Sequence, residues 1–349
     1  MNVIKIMVEE IRRRRSVQLI RRLSPLIPQM VKDCPQLIQI APAENWRIQH
    51  QIRTLSDMII LVIGPEKSLV TAVLQIPGSK AAITSIEREK KALSLLQQDT
   101  RLTHWRRILP RLLFEGRNRG RPYWIFERLD GVNSLTEKHN KYRSLMELAA
   151  ETVGALHQIT AREVVVDDEF LDKWVFAPLG ILRRSPLVYY RWRSRTLLDR
   201  LGRRLADALI GQQLTVSWIH GDYWEGNILF SPDGQQINGI LDWDQAQSDG
   251  LPALDLVSLL SAAYRMKEGK ELGEILVEIY KQGAWQTDEQ VIWEQALRRF
   301  DGGTPGLRDS LMLFWLHHES GMLLKSERYL FNPIWALGNY KYVVDHLMV

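Results

Sequence analysis

The chain of 349 residues contains a single cysteine, Cys34, and no long apolar run. One thiol cannot form an intrachain disulfide or a cysteine metal cluster, and this favours a reducing compartment. The longest purely apolar run, residues 58–63, is too short to cross a bilayer, and the N-terminus has no uninterrupted apolar core behind its first charges. The sequence therefore predicts a cytoplasmic location.

A strong charge bias and a nucleic-acid-binding motif are also missing. The net charge is only +5, and 45% hydrophobic with 25% charged residues is typical of a chain that buries a sizeable core. The basic residues concentrate in residues 1–32, where Arg12 to Arg15 lie among apolar residues. This pattern predicts a partly amphipathic helix that packs on the following domain or contacts an anionic membrane or acidic partner. Nucleic acid is not expected as a partner.

The most informative motif is His-Gly-Asp at residues 220–222, followed by Asn227 and Asp242. Phosphoryl transfer needs Mg²⁺ to stabilise charge and one carboxylate to orient the attacking hydroxyl and accept its proton. Asp222 suits the second task, while the oxygens of Asn227 and Asp242 are ligands that Mg²⁺ prefers. A Pro-Asp-Gly turn within residues 231–234 separates two short apolar strands, which predicts a hairpin that brings Asn227 beside Asp242. The spacing favours an ATP-dependent kinase.

These motifs resemble the aminoglycoside phosphotransferase and choline kinase superfamily, whose members are relatives of protein kinases. In that superfamily the catalytic loop reads His-Gly-Asp followed by Asn, and the metal-binding strand reads Ile-Asp-Trp or Ile-Asp-Phe, where this chain has Leu241-Asp242-Trp243. A Pro-x-x-Asp-Leu segment follows, and the resemblance implies that its Asp255 braces the catalytic loop.

The resemblance implies an α+β, two-lobed protein-kinase-like fold, with an N-lobe antiparallel sheet plus helix C and a mostly helical C-lobe. The expected domains are a basic helical extension over residues 1–40, an N-lobe ending at the hinge over 41–130, and a helical C-lobe with catalytic loop and acceptor-side insert over 131–349. Residue patterns predict strands at residues 47–53, 58–63 and 69–76 and a helix at 85–96. The resemblance implies that this helix is helix C and that residues 123–129 are the last strand and the hinge.

The same resemblance implies the residues that hold the nucleotide. Glu89 corresponds to the helix-C glutamate, and the backbone from Glu127 to Leu129 corresponds to the hinge that receives adenine. The turn between the first two strands lacks the glycines of a phosphate-binding loop, and its Ser56 is the candidate phosphate contact.

One residue departs from the superfamily pattern. The third strand usually ends in Leu-Lys, and that lysine binds the nucleotide's phosphates and pairs with the helix-C glutamate, whereas this chain has Gln75 there. A glutamine donates hydrogen bonds but carries no charge, so the phosphate site loses a cation and Glu89 loses its partner. Lys80 is either a substitute or, as we favour, a solvated loop lysine.

We therefore expect a small-molecule kinase that moves the γ-phosphoryl group of ATP to a hydroxyl with the help of Mg²⁺. In this reading Asp222 and His220 are the catalytic residues, and His220 braces the loop together with Asp255. The alternative is a nucleotide-binding pseudokinase or scaffold, suggested by Gln75, although the intact catalytic motif argues against it. A protein kinase ranks third, because the long aromatic insert at residues 162–203 and the absence of an Ala-Pro-Glu-like segment favour a small acceptor.

The expected acceptor rests on a resemblance in two further segments. The segment from Asp242 to Ala246 and the Gly-Leu-Pro at residues 250–252 resemble superfamily members associated with glycan synthesis. We therefore expect a sugar or glycoconjugate hydroxyl rather than an aminoglycoside antibiotic, choline or homoserine. The choice between ATP and GTP is left open.

Overall fold

The computed structural model describes residues 18–52, 57–66, 70–133, 142–190, 194–300, 302–329 and 332–347. These residues divide into two compact units. The smaller unit falls within Met1–Ile83 and Pro110–Arg128, and the larger within Thr84–Leu109 and Leu129–Val349. Within the described part of the chain, no helix is long and apolar enough to cross a membrane. The proposed division into residues 1–40, 41–130 and 131–349 stays a prediction.

The smaller unit is built on a five-stranded antiparallel sheet in the order β1-β2-β3-β5-β4. Its strands are β1 (Trp46–Ile52), β2 (Met58–Pro65), β3 (Ala72–Pro77), β4 (Leu112–Asn118) and β5 (Arg121–Glu127). Side chains alternate along a strand, so Ala72, Leu74 and Ile76 of β3 are buried on one face while Gln75 lies on the other. The predicted N-lobe sheet is thereby confirmed.

Two short helices ahead of the sheet, α1 (Ile27–Val31) and α2 (Pro35–Ile38), supply part of the smaller unit's core. Ile27 and Leu37 are buried in one cluster with Leu61 and Leu74 of the sheet. The hydroxyl of Tyr123 in β5 donates a hydrogen bond to the Met30 carbonyl at 3.0 Å. The apolar side of this segment therefore packs on the sheet, whereas Arg12 to Arg15 lie outside the described residues.

The rest of the chain is mostly helical. Its helices are α3 (Lys80–Gln98), most of which belongs to the larger unit, α4 (Tyr142–Thr160), α5 (Asp168–Leu171), α6 (Ala177–Arg184), α7 (Ser194–Leu209), α8 (Pro252–Glu268), α9 (Leu272–Gln282), α10 (Thr287–Leu297), α11 (Leu307–Lys325), α12 (Pro333–Trp335) and α13 (Tyr342–Leu347). Lys80 is the first residue of α3 rather than a loop residue. The helical larger unit and the sheet of the smaller unit confirm the predicted α+β class.

The larger unit also contains a small antiparallel sheet and a hairpin. The sheet has the order β10-β7-β6, from β6 (Arg162–Val165), β7 (Gln213–Ile219) and β10 (Gln247–Gly250), and the sequence analysis did not predict it. The predicted hairpin pairs β8 (Ile228–Phe230) with β9 (Ile237–Ile240). The backbone N–H of Leu241 donates to the Asn227 carbonyl at 2.8 Å. At the open end of the hairpin, Asn227 therefore lies directly before β8 and Asp242 lies two residues after the end of β9.

Candidate active site

A buried carboxylate fixes the backbone of the His-Gly-Asp loop that follows β7. Asp255, in the first turn of α8, is fully buried. Its Oδ2 accepts the His220 N–H and its Oδ1 accepts the Gly221 N–H, both at 2.8 Å. The Nε2 of His157, on α4, lies 3.0 Å from the same Oδ2. One buried side chain thus satisfies two backbone donors of the loop, and this contact holds the loop firmly.

Only glycine fits the middle of this loop. Gly221 has a φ of 81°, a conformation that side chains rarely adopt. A Cβ atom there would also meet the carbonyl oxygen of Gln245. The backbone of the loop at Gly221 therefore packs directly against the backbone of Gln245, which follows Asp242 by three residues.

His220 links the two segments that carry the candidate catalytic groups. Its Nε2 lies 2.8 Å from the Leu241 carbonyl oxygen, and its Nδ1 lies 3.3 Å from the Asp222 N–H nitrogen. Because a carbonyl can only accept, we assign the proton to Nε2, and Nδ1 then accepts from Asp222. The buried ring also packs 4.6 Å from the Trp243 ring, centroid to centroid. With both nitrogens engaged, His220 has the geometry of a positioning residue.

Asn227 is tied to the loop by its amide nitrogen, which donates to the Asp222 carbonyl at 2.9 Å and lies 3.5 Å from the Asp222 Oδ2. The Asn227 Oδ1 makes no hydrogen bond with the described residues. Burial raises the pKa of the Asp222 carboxyl above its ordinary value, while the positive charge of Lys325 opposes this shift. Asp222 is therefore a stronger base than an exposed aspartate, and Asn227 has an oxygen left for a cation.

Asp242 adopts an uncommon backbone conformation at the end of the hairpin, with φ 64° and ψ 60°. Aspartate tolerates this left-handed region better than most residues, and such conformations often mark functional positions. Its side chain keeps 37% of its surface exposed. Burial alone would raise the pKa of this carboxyl, but the charge and hydrogen bond of Lys325 hold it below the ordinary value. Asp242 is therefore ionised and reachable by a cation.

Lys325 and Asp244 complete the cluster, and the sequence analysis missed both. Lys325 ends α11, and its Nζ lies 2.6 Å from the Asp242 Oδ2 and 3.3 Å from the Asp244 Oδ1. Asp244 is buried and also accepts a hydrogen bond from the Ser85 hydroxyl. Arg88 donates to the Asp244 carbonyl at 3.1 Å and lies 3.5 Å from its Oδ2. Two carboxylates therefore share one ammonium.

Glu89 belongs to the same cluster. It is buried on α3 and accepts a hydrogen bond from the Trp243 N–H. Burial, and then the negative charges of Asp242 and Asp244, raise the pKa of this carboxyl. No ion pair of Glu89 with another described residue is formed, so this helix-C glutamate contacts the backbone instead of a lysine.

Two of the remaining predicted residues, Gln75 and Glu127, belong to the smaller unit, and Leu129 belongs to the larger one. Gln75 is partly exposed in the smaller unit and makes no hydrogen bond through its side chain with the described residues. Glu127, also in the smaller unit, donates its N–H to the Arg111 carbonyl at 2.8 Å and pairs with the Arg111 side chain. The Leu129 N–H makes no hydrogen bond within the described chain. Ser56 lies outside the described residues. The larger unit thus brings together His220, Asp222, Asn227, Asp242 and Glu89.

The sequence contained a signal for some of the missed residues. Ser85, Arg88 and Glu89 follow the spacing that places side chains on one helix face, so the helix-C glutamate could have pointed to the other two. Asp244 follows Asp242 by two residues. Lys325 had no such signal, since 83 residues separate it from Asp242.

The donor set fits Mg²⁺. Asn227 offers a neutral oxygen and Asp242 a charged one, and Mg²⁺ is commonly held by one or two protein oxygens together with phosphate oxygens and water. A cluster of three or more His, Cys, Asp or Glu side chains able to hold a metal ion is absent from the described residues. An ion at this position would therefore depend on ligands other than these side chains for part of its coordination.

Comparison with known proteins agrees with this geometry. Residues 57–291 match the model of the phosphotransferase enzyme family. No curated protein sequence matches the chain.

Solved structures share the fold at low sequence identity. The aminoglycoside phosphotransferase APH(3'')-Id of Streptomyces rimosus is 16% identical, with a TM-score of 0.50 over 82% of this chain and 96% of that chain. The ethanolamine kinase of Plasmodium vivax is 12% identical, with a TM-score of 0.55 over 91% and 86%. A thermostable mutant of APH(4)-Ia, in a ternary complex with AMP-PNP and hygromycin B, is 14% identical, with a TM-score of 0.51 over 90% and 98%. These likenesses confirm the two-lobed protein-kinase-like fold, and the family match confirms the predicted resemblance.

Proposed function

Because the chain belongs to the phosphotransferase enzyme family, we propose that it transfers the γ-phosphoryl group of ATP to a hydroxyl group of a small molecule with the help of Mg²⁺. The observation that carries this proposal is the joint placement of Asp222, Asn227 and Asp242. The Asn227 side chain bonds the Asp222 carbonyl, and the Leu241 N–H bonds the Asn227 carbonyl beside Asp242.

Each residue of the cluster has a role in this reaction. Asp222 orients the acceptor hydroxyl and accepts its proton as the hydroxyl oxygen bonds to the γ-phosphorus and the bond to the β-phosphate oxygen breaks. Asn227 and Asp242 would hold the metal ion. When bound, Mg²⁺ supplies positive charge that offsets the charge of the phosphates. His220 and Asp255 fix the loop, so that the carboxylate of Asp222 is aimed before the acceptor arrives.

Nucleotide contacts rest on the resemblance and on two supporting observations. The backbone of Glu127 and Leu129 would bind adenine, and the Leu129 N–H has no partner among the described residues. Ser56 and Gln75 would contact phosphates, and Glu89 would support this part of the site. The APH(4)-Ia structure of similar fold contains AMP-PNP, which supports a nucleotide as the donor.

The acceptor we propose is a sugar or glycoconjugate hydroxyl, and the setting we propose is cytoplasmic. An acceptor panel with coupled detection of ADP tests the first point. Turnover of an amino alcohol with silent sugars would contradict it. Contact between Arg12 to Arg15 and an anionic membrane or acidic partner is a further prediction, which vesicle binding by the full chain would test.

The main alternative is a nucleotide-binding pseudokinase or scaffold, and Gln75 is the observation that favours it. Calorimetric titration of ATP with and without Mg²⁺ separates the two. Binding that strengthens with Mg²⁺ supports the kinase, since Asn227 and Asp242 then hold an ion. Absence of binding under both conditions would leave a scaffold as the better description.

Two variants sharpen this test. Asp222→Ala is expected to abolish turnover and to spare nucleotide binding, and Asp242→Ala is expected to remove the Mg²⁺ dependence of binding. Asp199→Ala is the matched control, because this aspartate forms an exposed pair with Arg183. Loss of ATP binding by a folded Asp222→Ala protein would contradict the role of Asp222.

A further inference from the structure

The candidate active site contains more negatively than positively charged side chains. Asp222, Asp242 and Asp244 bring three carboxylates to the cluster, and the triphosphate of a bound nucleotide would add further negative charge. Among the described residues, the ion pairs of Asp242 and Asp244 involve two cations, Lys325 and Arg88. Arg88 donates its Nε–H to the Asp244 carbonyl, and its Nη2 lies 3.5 Å from the Asp244 Oδ2. Lys325 contacts the carboxylates of both Asp242 and Asp244, and it is the cation that we consider for the phosphates.

We propose that Lys325 is the phosphate-binding lysine of this protein, supplied from the end of α11 because Gln75 on β3 carries no charge. This inference rests on the proposed function. It gives the site the cation that the third strand lacks, and it assigns a binding role to a residue far from the catalytic motif in sequence.

The hydrogen-bonding capacity of Lys325 supports this role. An ammonium group has three N–H donors. Two are directed at Asp242 and Asp244, at 2.6 Å and 3.3 Å. One donor therefore remains, and an ammonium is a common point charge for phosphate oxygens. A lysine can hold Asp242 and a phosphate oxygen at the same time.

The Lys325 side chain is also held in place before any phosphate binds. Its side chain is only 12% exposed, and it stands in the last turn of a 19-residue helix with a buried face. The Ser326 N–H closes that helix on the Met322 carbonyl. A cation placed this way loses little freedom when it binds a phosphate.

A purely structural ion pair explains the arrangement less well. Asp244 also accepts a hydrogen bond from the Ser85 hydroxyl and pairs with Arg88, so Lys325 is not its sole partner. The shorter contact of Lys325 is to Asp242, whose side chain is more than a third exposed and which we assign to the metal. A buried ion pair brings little net stability, so its presence here calls for another purpose.

The test is ATP binding by calorimetry, in EDTA and in Mg²⁺, for the full chain and three variants. Lys325→Met is expected to weaken ATP binding in EDTA by about tenfold to a hundredfold, the range for loss of a hydrogen bond to a charged group. Lys325→Arg, which keeps the charge, is expected to retain most of the affinity. Lys270→Met is the matched control, because Lys270 pairs with Glu268 and Glu278 instead of the site carboxylates.

Each other outcome overturns the inference. Lys325→Met protein that binds ATP as tightly as wild type would show that the lysine does not contact phosphate. Tighter binding in Mg²⁺ would show that Lys325 only competes with the metal. If Lys325→Met does not fold, Lys325→Gln keeps N–H donors for Asp242 and removes only the charge; failure of both to fold would make the lysine structural. Absence of ATP binding by wild type would overturn the proposed function as well, whereas unchanged binding in the variants alone overturns only this inference.

Discussion

The smaller and the larger unit place their charged groups differently. In the smaller unit the central cluster is built from apolar side chains with Cys34 and Tyr123, and the pair of Arg111 and Glu127 lies at the surface with 62% and 35% of the side chains exposed. In the larger unit, carboxylates such as Asp255 and Asp244 are buried and bonded to backbone or cations. Burial of a charge is costly unless it is fully paired, so these groups are expected to hold precise geometry.

Charged residues therefore serve two purposes in this protein, as exposed surface pairs and as buried groups that hold the backbone in place. Surface pairs contribute little free energy and tolerate change. The buried carboxylates fix the backbone of the His-Gly-Asp loop and the orientation of its neighbours, so their loss should affect stability and the proposed activity together.

The largest expected effect is that of Asp255→Ala compared with Arg111→Ala. Asp255→Ala leaves the His220 and Gly221 N–H groups without their acceptor and also removes the partner of His157. We expect it to lower the free energy of unfolding by about 3 kcal/mol or more, since an orphaned buried donor costs roughly 1–3 kcal/mol. Arg111→Ala should cost less than about 1 kcal/mol. Denaturant unfolding of both variants measures this, and equal losses would show that burial does not distinguish the two units.

A smaller effect is expected from the pH dependence of Glu225. This carboxyl is buried in the catalytic loop region, and neither oxygen has a hydrogen-bond partner among the described residues. Burial raises its pKa from 4.5 to about 7. The unfolded chain therefore releases this proton first as pH rises, and stability falls between about pH 4.5 and 7 by up to about 1.4 kcal/mol per unit.

Glu225→Gln removes this titration, so the variant should gain stability relative to wild type as the pH rises from 5 to 7. Unfolding free energies at several pH values provide the measurement. Glu44→Gln, at an exposed position of the smaller unit, is the control and should change stability by less than about 0.5 kcal/mol at each pH. A difference in unfolding free energy between Glu225→Gln and wild type that stays the same at every pH would contradict the predicted titration.

The sequence predicted those features whose signal is local. Short segments rich in β-forming residues located β1, β2 and β3, and the Pro-Asp-Gly turn located the hairpin beside which Asn227 and Asp242 lie. The three-stranded sheet was missed because β10 reads Gln-Ser-Asp-Gly, which has no strand pattern, and it forms by pairing with β7. Tertiary contact, rather than local preference, decides such a segment.

The same limit applies to the candidate site. A motif with fixed spacing named His220, Asp222, Asn227 and Asp242, because these residues lie close in sequence. Lys325 comes from a helix end 83 residues away, and a lysine at the end of a helix is ordinary in any soluble protein. Only the fold shows that its ammonium reaches Asp242.

The smallest expected effect returns to the smaller unit, at Gln75. Gln75→Ala should weaken ATP binding by only about fivefold, because one hydrogen bond from a neutral, partly exposed amide to phosphate is worth about 1 kcal/mol. Gln75→Lys should raise affinity by only about threefold if Lys325 already supplies the cation, since one further charge near phosphate is worth less than about 1 kcal/mol when solvent screens it. In a Lys325→Met background the same change should restore part of the lost affinity. A large gain from Gln75→Lys alone, measured by calorimetry, would instead show that the wild-type site lacks a phosphate-binding cation and would favour the pseudokinase.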